Sequence, residues 1–189
     1  MKFIKPFNIF ESLKDIIDIE EIEDRLIDFQ HLGFSVVVSL SSSTILDFDK
    51  KRLERSQTNN VVDLADSYHI RSSEIDRYNS GISHNSLTIR LSALNKEESH
   101  INLNIDEFTL VYDDFCHYLK QVYDLKPNYI NIESLSLRTN SGGGYGGRFL
   151  YFKDFQSIRE FLKVKVLVSN ISTDMSNLKV SGFNLGFYK

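Results

Sequence analysis

The spacing of apolar residues changes abruptly at Gly33, and this change constrains the fold more than any other feature of the sequence. Residues 19–32 carry apolar side chains at helical spacing, which predicts one amphipathic helix. Gly33 suits the left-handed position at which many helices end. From Phe34 to Leu40 every second residue is apolar, which predicts a strand with one buried face. The apolar residues are Ile19, Ile22, Leu26 and Phe29 in the helix and Phe34, Val36, Val38 and Leu40 in the strand.

The same order, a helix followed by a strand, recurs twice further along the chain. Asn104, with Glu107 three residues later, is typical of a helix N-cap. Asp154 is the predicted N-cap of a shorter helix. The three predicted helix-strand units span residues 20–41, 106–138 and 154–170.

Further strands are predicted between and after these units. Residues 86–94 and 100–105 alternate apolar with polar side chains across a polar link, which predicts a hairpin. The segment 164–169, "VKVLVS", and the segment "LKVSGFNLGFY" predict two closing strands. A shift in the apolar phase between Ile132 and Leu135 predicts a bulge. The sequence therefore predicts an α+β fold: a mostly antiparallel sheet of about seven strands, helices packed on one face, and repeated units compatible with a relation to ferredoxin-like folds.

The length of the chain predicts a single α+β domain over residues 1–189. Residues 42–85 lack a strong period and are much longer than an ordinary loop of about 4 to 6 residues, so we interpret them as a long irregular excursion within the domain. The short segments "DKKRLERS" and "SSEIDRYNS" in this excursion suit one or two helical turns. Its candidate partner contacts are the basic residues Lys50, Lys51, Arg52 and Arg55.

Composition excludes several classes of protein. The chain is 41% hydrophobic and 25% charged, as ordinary soluble proteins are. Its formal charge of -4 gives no global attraction to phosphate, so nucleic-acid binding would need a local basic patch. A single cysteine, Cys116, excludes an intrachain disulfide and a multi-cysteine zinc site. The sequence contains no apolar run of the roughly 20 residues that span a bilayer, and no secretory signal. We therefore expect a cytoplasmic protein without a membrane span. We also expect no cofactor.

The stretch "SGGGYGGRF" at 141–149 holds five of the nine glycines of the chain. It lies between two predicted strands, so it lacks the helix N-terminus by which glycine-rich loops bind phosphate. The favoured interpretation is a plain hairpin turn, since glycine permits positive φ angles. The alternative is a mobile finger that carries Tyr145 and Arg148 to a ligand.

The strand that follows, "RFLYF", favours a second kind of site. Alternation puts Phe149 and Tyr151 on the same face. Leu150 and Phe152 face the other side, so one pair can join the core while the other pair remains available for stacking on bases. The candidate contacts for single-stranded nucleic acid are Arg138, Tyr145, Arg148, Phe149 and Tyr151.

Catalytic patterns are incomplete in this sequence. Asp47 with Asp49, and Asp113 with Asp114, offer pairs of carboxylates for a metal, which makes a metal-dependent nuclease the third alternative. His84-Asn-Ser resembles half of the paired His-x-Ser/Thr signature of two-histidine phosphoesterases, but the second copy is missing. The sequence predicts neither a catalytic residue nor a metal ligand with a complete partner set.

The start "MKFIKPFNIFES" resembles the Lys/Phe-rich N-terminus of many uncharacterised tailed-phage proteins from AT-rich genomes. The continuation "IEDRLIDFQHLGFSVVVSL" is similar to the same group. The resemblance covers about the first 40 residues, and it implies a phage origin without implying an activity.

These observations favour a non-catalytic binding protein. We expect a phage-encoded protein, associated with a virion or with a host factor, that contacts a protein partner through residues 42–85 and the tip at 141–148. The alternative is single-stranded nucleic-acid binding through the glycine-rich hairpin and the aromatic strand beside it. The oligomeric state is not predicted.

Overall fold

The computed structural model of the protein describes residues 13–56, 61–94, 100–138, 144–169 and 178–189. The helices are α1 (Leu13–Ile16), α2 (Ile19–Arg25), α3 (Ile27–His31), α4 (Phe48–Ser56), α5 (Val61–Ser67), α6 (Ile75–Tyr78), α7 (Ile105–Tyr123) and α8 (Phe155–Ser169), with a 3-10 turn at Ser72–Glu74. The strands are β1 (Phe34–Leu46), β2 (His69–Arg71), β3 (Asn79–Ala93), β4 (Ile101–Leu103), β5 (Lys126–Arg138), β6 (Gly144–Phe152), β7 (Leu178–Val180) and β8 (Gly182–Tyr188).

The strands of the described residues form one eight-stranded sheet. Its order is β1-β3-β8-β5-β6-β2, with β4 paired to β7 and β7 paired also to β5. Every pairing is antiparallel. The predicted α+β class with an antiparallel sheet is therefore confirmed.

The predicted change of period at Gly33 is confirmed. Asp18 caps α2, because its carboxylate accepts hydrogen bonds from two backbone N–H groups of the first turn. The helical stretch is divided into α2 and α3 at Leu26, and Gly33 then adopts a φ of 91°. Every second side chain of β1 from Phe34 to Leu40 packs against the core, as predicted.

The second predicted helix, α7, is also confirmed. The side chain of Asn104 accepts hydrogen bonds from the backbone N–H groups of Asp106 and Glu107. These two N–H groups have no acceptor within the helix, and the side chain of Asn104 supplies one. Asn104 is therefore the N-cap, and α7 begins at the next residue. The helix buries one stripe, consisting of Ile105, Phe108, Tyr112, Phe115, Leu119 and Tyr123.

The main core lies between the sheet and helices α2, α3, α7 and α8, all on one face of the sheet. Phe108 lies at its centre, with ring centroids 5.3 Å from Phe29, 5.6 Å from Phe34 and 4.7 Å from Phe183. A smaller apolar cluster covers part of the other face. It consists of Leu46, Phe48, Ile70 and Tyr78, with Ile75, Tyr129 and Tyr151 packed against it.

Residues 42–85 were predicted to be irregular, and this prediction is wrong for their described part. They contain the end of β1, then α4, α5, β2, the 3-10 turn and α6, and then the start of β3. The stretch carries the smaller cluster, which buries Phe48 and Tyr78. A buried ion pair between Lys51 and Glu74 also joins α4 to the 3-10 turn. Each of these elements is too short to show a period, which is why the sequence pattern missed them.

Two other predictions are wrong. Residues 86–94 do not form a hairpin with 100–105, because β3 pairs with β1 and β8 while β4 pairs with β7. Residues 164–169 continue α8 and do not form a strand, so the third helix-strand unit does not exist. Asp154 does accept a hydrogen bond from the backbone of Ser157, as its predicted N-cap role requires. Val164, the first valine of this run, packs in the main core, and such packing outweighs the intrinsic strand preference of valine.

The phase shift predicted in β5 is confirmed, although the predicted bulge is wrong. Ile132 and Leu135 are both buried in the main core. The pairing of β5 with β6 nevertheless keeps one register from Ile132 opposite Leu150 to Leu135 opposite Gly147. The distortion lies instead in the neighbouring strand, where Phe149 has a φ of 52°.

Candidate functional site

The side of the sheet that faces away from the main core is here named the open face. Strand pairing aligns one row of side chains across it. The adjacent rows face the main core, because side chains alternate along each strand. The row consists of Val37, Arg90, Asn184, Asn131 and Tyr151, and Tyr129 and Glu133 lie on the same face.

A polar network occupies the centre of the open face. Arg90 Nε donates to Glu133 Oε1 at 3.0 Å. The side-chain amide of Asn184 donates to Asn131 Oδ1 at 3.0 Å and to Glu133 Oε1 at 3.3 Å. The Asn131 amide donates in turn to the carbonyl of Leu150 at 3.4 Å. The charges of Arg90 and Glu133 therefore compensate each other, and the two amides are held in fixed orientations.

Two tyrosines flank this network on β5 and β6. The rings of Tyr129 and Tyr151 meet edge to face with centroids 5.3 Å apart. The Tyr129 ring lies directly over Gly186, since a Cβ at that glycine would be 2.6 Å from the ring. Burial raises the pKa of both hydroxyls, so the two side chains are neutral near pH 7. Glycine on β8 thus allows an aromatic ring to lie flat on the sheet.

Phe149, two residues before Tyr151 on β6, stands out by its exposure and by its backbone conformation. The predicted alternation of β6 is confirmed from Leu150 to Phe152, because Leu150 and Phe152 belong to the main core while Tyr151 packs in the smaller cluster. Phe149 is 48% exposed and has a φ of 52°. A positive φ is unfavourable for a bulky residue, and such strain is concentrated at functional sites.

The strain at Phe149 leads to a stability prediction. Phe149→Gly should be about 1 kcal/mol more stable than Phe149→Ala, because the left-handed conformation is unfavourable for every residue with a Cβ. Urea denaturation of both variants measures the difference. The matched pair Val37→Gly and Val37→Ala, at an exposed position of β1, should show the opposite order, because glycine weakens ordinary strands. Equal stability of the two Phe149 variants would exclude backbone strain at this position.

The four basic candidates on α4 differ in their exposure and in their contacts. Lys51 is 1% exposed and forms an ion pair with Glu74, so its proposed role in contacting a partner is wrong for this conformation. Arg55 is half-buried and approaches the same carboxylate at 4.0 Å. Lys50 is exposed and donates to a backbone carbonyl, and Arg52 is exposed beside a cavity.

The candidates on the hairpin are placed only in part. The strands β5 and β6 pair up to Arg138 opposite Gly144, which confirms a hairpin between them. The connection at 139–143 and the side chains of Arg138 and Tyr145 lie outside the described residues. Residues 144–148 of the predicted tip belong to β6. Arg148 and Phe149, which are adjacent in sequence on β6, are both exposed.

The carboxylates considered for a metal have other roles. Asp47 accepts a hydrogen bond from the backbone of Lys50 at 2.8 Å, and Asp49 forms an ion pair with Lys153 at 3.1 Å. Asp113 and Asp114 are exposed on α7. In the part of the chain that the structure describes, no group of three or more His, Cys, Asp and Glu residues could hold a metal ion.

Sequence reasoning missed Tyr129, Asn131 and Glu133 as members of a site. They alternate with Ile130 and Ile132, so their common face could have been read from the sequence. The positions of Arg90 on β3 and Asn184 on β8 could not be predicted from the sequence, because they depend on the strand order.

No helix among the described residues is long and apolar enough to cross a membrane. Comparison with known proteins finds no matching family model, no significantly similar curated protein and no significantly similar solved structure. The geometry of the open face and of the adjoining strand β6 is therefore the basis on which a function can be inferred.

Proposed function

We propose that the protein binds single-stranded nucleic acid on the open face, with bases stacked on Phe149 and Tyr151. The exposed ring of Phe149 is the observation that carries this proposal, because its strained backbone holds an aromatic side chain outside both apolar clusters. Stacking on such rings is independent of base sequence, since every base has a π-face.

The spacing of the two aromatic residues supports the proposal. Phe149 and Tyr151 are two positions apart on β6, which corresponds to roughly 6 to 7 Å in an extended strand. Successive bases can therefore use successive rings. Asn184 lies in the same row as Tyr151 and is partly exposed, so its amide adds hydrogen-bonding capacity, whereas Asn131 is 1% exposed and serves to orient it.

Charge contributes little to this mode of binding. The net charge of the chain is -4, and the guanidinium of Arg90 is already compensated by Glu133. Arg148 is exposed and is the nearest cation in sequence to the stacking residues. With about two phosphates contacted, the logarithm of the binding constant should fall with the logarithm of salt concentration with a slope of about -1.4. A slope of that size measured by salt titration distinguishes stacking from electrostatic binding.

Substitution of Phe149 tests the proposal directly. Phe149→Ala should weaken binding of a fluorescein-labelled single-stranded oligonucleotide by roughly 5- to 150-fold, the equivalent of losing about 1 to 3 kcal/mol of stacking. Fluorescence anisotropy measures the affinity. Leu110→Ala is the control, because Leu110 is an exposed apolar residue on α7, on the other side of the protein. No binding by the unmodified protein, or equal effects of the two substitutions, would refute the proposal.

A second substitution distinguishes a nucleic acid from a protein partner. Phe149→Leu keeps an apolar side chain but removes the π-face, so it should weaken an oligonucleotide complex nearly as much as alanine does. A protein partner with an apolar pocket would tolerate leucine. Retained binding of a purified partner by Phe149→Leu, without oligonucleotide binding, would favour the protein-binding alternative.

The other expectations stay predictions. Contact with a protein partner through residues 42–85 and 141–148 was inferred from two irregular segments, and the first of them consists largely of regular elements. The phage origin rests on the resemblance of the first 40 residues, and the stacking proposal does not depend on it.

A further inference from the structure

A cavity of about 360 Å³ opens beside the stacking residues. It lies between the far end of the β1–β3 pair and the open face, where the backbone N–H of Leu46 donates to the side chain of Asn128 at 3.2 Å. Its volume is within the range of small-molecule sites. The lining residues are Ser42, Ser43, Thr44, Leu46, Ile75, Ser83, Tyr129 and Tyr151.

The chemistry of the lining selects a neutral ligand. None of the described residues that line the cavity carries a charge at neutral pH, because all are serine, threonine, aliphatic or tyrosine residues, and burial raises the pKa of both tyrosines further above neutrality. Four aliphatic hydroxyls supply donors and acceptors, and two phenol rings supply flat apolar walls. A phosphate inside this open cavity would lose part of its water without gaining a cation, which is unfavourable.

The cavity is continuous with the proposed stacking surface. Tyr151 lines the cavity, and Phe149 lies two residues away on the same strand. A strand stacked on Phe149 therefore reaches the cavity at Tyr151. A nucleoside within the strand would bring two phosphates to the uncharged rim of the cavity, whereas a nucleoside at a strand end brings one, so the lining favours a strand end.

We propose that this cavity holds the terminal nucleoside of the bound strand, with its base and sugar inside and its free hydroxyl unphosphorylated. This inference rests on the proposed function and adds to it a preference for strand ends. The hydroxyls of Thr44 and Ser83, which are paired across β1 and β3, are the contacts for the sugar and the base edge.

The test compares oligonucleotides of one sequence that differ only at their ends. A linear strand with two hydroxyl ends should bind at least about tenfold more tightly than its circular form, because the circle has no end to enter the cavity. A phosphate added at one end, either 5′ or 3′, should cause the same loss, and a phosphate at the other end should cause none. Equal affinities of the linear, circular and phosphorylated strands would overturn the inference.

Filling the cavity provides a second measurement. Ser83→Trp places a large side chain on an exposed lining residue, so the fold should be retained while the preference for a free end disappears. Ile82→Trp is the matched control, because Ile82 is exposed on the same strand but does not line the cavity. Thermal denaturation checks that both variants are folded. A preference for free ends that persists in Ser83→Trp would contradict the assignment.

The outcomes separate this inference from the proposed function. If Phe149→Ala weakens binding but the linear, circular and phosphorylated strands bind with equal affinity, the stacking proposal is supported and the terminal site is refuted. If no oligonucleotide binds the unmodified protein, both are refuted. Free thymidine can be added as a competitor. If it weakens the binding of linear strands alone, a site for the terminal nucleoside is supported. If it weakens the binding of circular strands equally, such a site is contradicted.

Discussion

Replacement of Phe108 by alanine should lower the free energy of unfolding by about 3 to 5 kcal/mol, the usual range for deleting a buried phenylalanine ring. Phe108 is 0% exposed and joins α7 to α3, to the start of β1 and to β8. Its ring also contacts Phe155 of α8 at a centroid distance of 5.3 Å. The cavity left behind would be lined by rings from four elements that cannot all move inward together.

Urea denaturation at pH 7 measures this loss. Leu110→Ala on the same helix is the control, because Leu110 is 68% exposed and its substitution should change stability by no more than about 0.5 kcal/mol. A loss below about 1 kcal/mol for Phe108→Ala would show that the aromatic cluster is not the centre of the core.

Acidification from pH 7 to pH 4 should remove about 3 kcal/mol of stability through His69 alone, because a shift of one pKa unit corresponds to about 1.4 kcal/mol. His69 is fully buried between Phe152 and Phe161, and within the described residues its ring approaches the backbone of Ala65 without forming a hydrogen bond of good geometry. Burial, followed by the positive charge of Lys51, lowers its pKa from 6.5 to about 4.

The direction of the effect follows from proton binding. Between pH 6.5 and about 4 the unfolded chain binds a proton at His69 that the folded protein does not. Above pH 6.5 His69 therefore does not lower the free energy of unfolding. As the pH falls from 6.5 toward 4, the free energy of unfolding decreases, because protonation favours the unfolded chain. Asp66 opposes the lowered pKa in part, whereas Arg71 adds to it.

His69→Phe tests this prediction without changing the shape of the side chain greatly. The variant should lose this part of the pH dependence and should be more stable than the unmodified protein at pH 5, because no buried nitrogen is left without a partner. Urea denaturation at several pH values gives the slope. His117→Gln is the control, since His117 is exposed on α7. An unchanged slope in His69→Phe would contradict a buried neutral histidine.

Local patterns were reliable where one element provides its own signals. Asn104 begins α7 because its side chain satisfies backbone donors only a few residues away. β1 and β6 bury the predicted faces because alternation is a property of the extended backbone itself. For the candidate site, this was enough to place Phe149 and Tyr151 outside the main core.

Patterns failed where the partner of an element lies far along the chain. Adjacent segments 86–94 and 100–105 were paired because neighbours in sequence are often neighbours in space, yet β8 takes the place beside β3. Lys51 was assigned to the surface because lysine is seldom buried, but Glu74 and the surrounding helices enclose it.

The sequence by itself determined the class of the fold, the caps of its longest helices and the faces that its strands bury, since each depends on residues within a few positions of one another. Only the tertiary structure decided the strand order. That order sets Arg90 of β3 and Asn184 of β8 beside Asn131 of β5, and it sets a glycine of β8 beneath Tyr129. The physical reason is that segments far apart in the sequence compete to pair with each strand. The local spacing of apolar residues does not show which segment pairs with which strand.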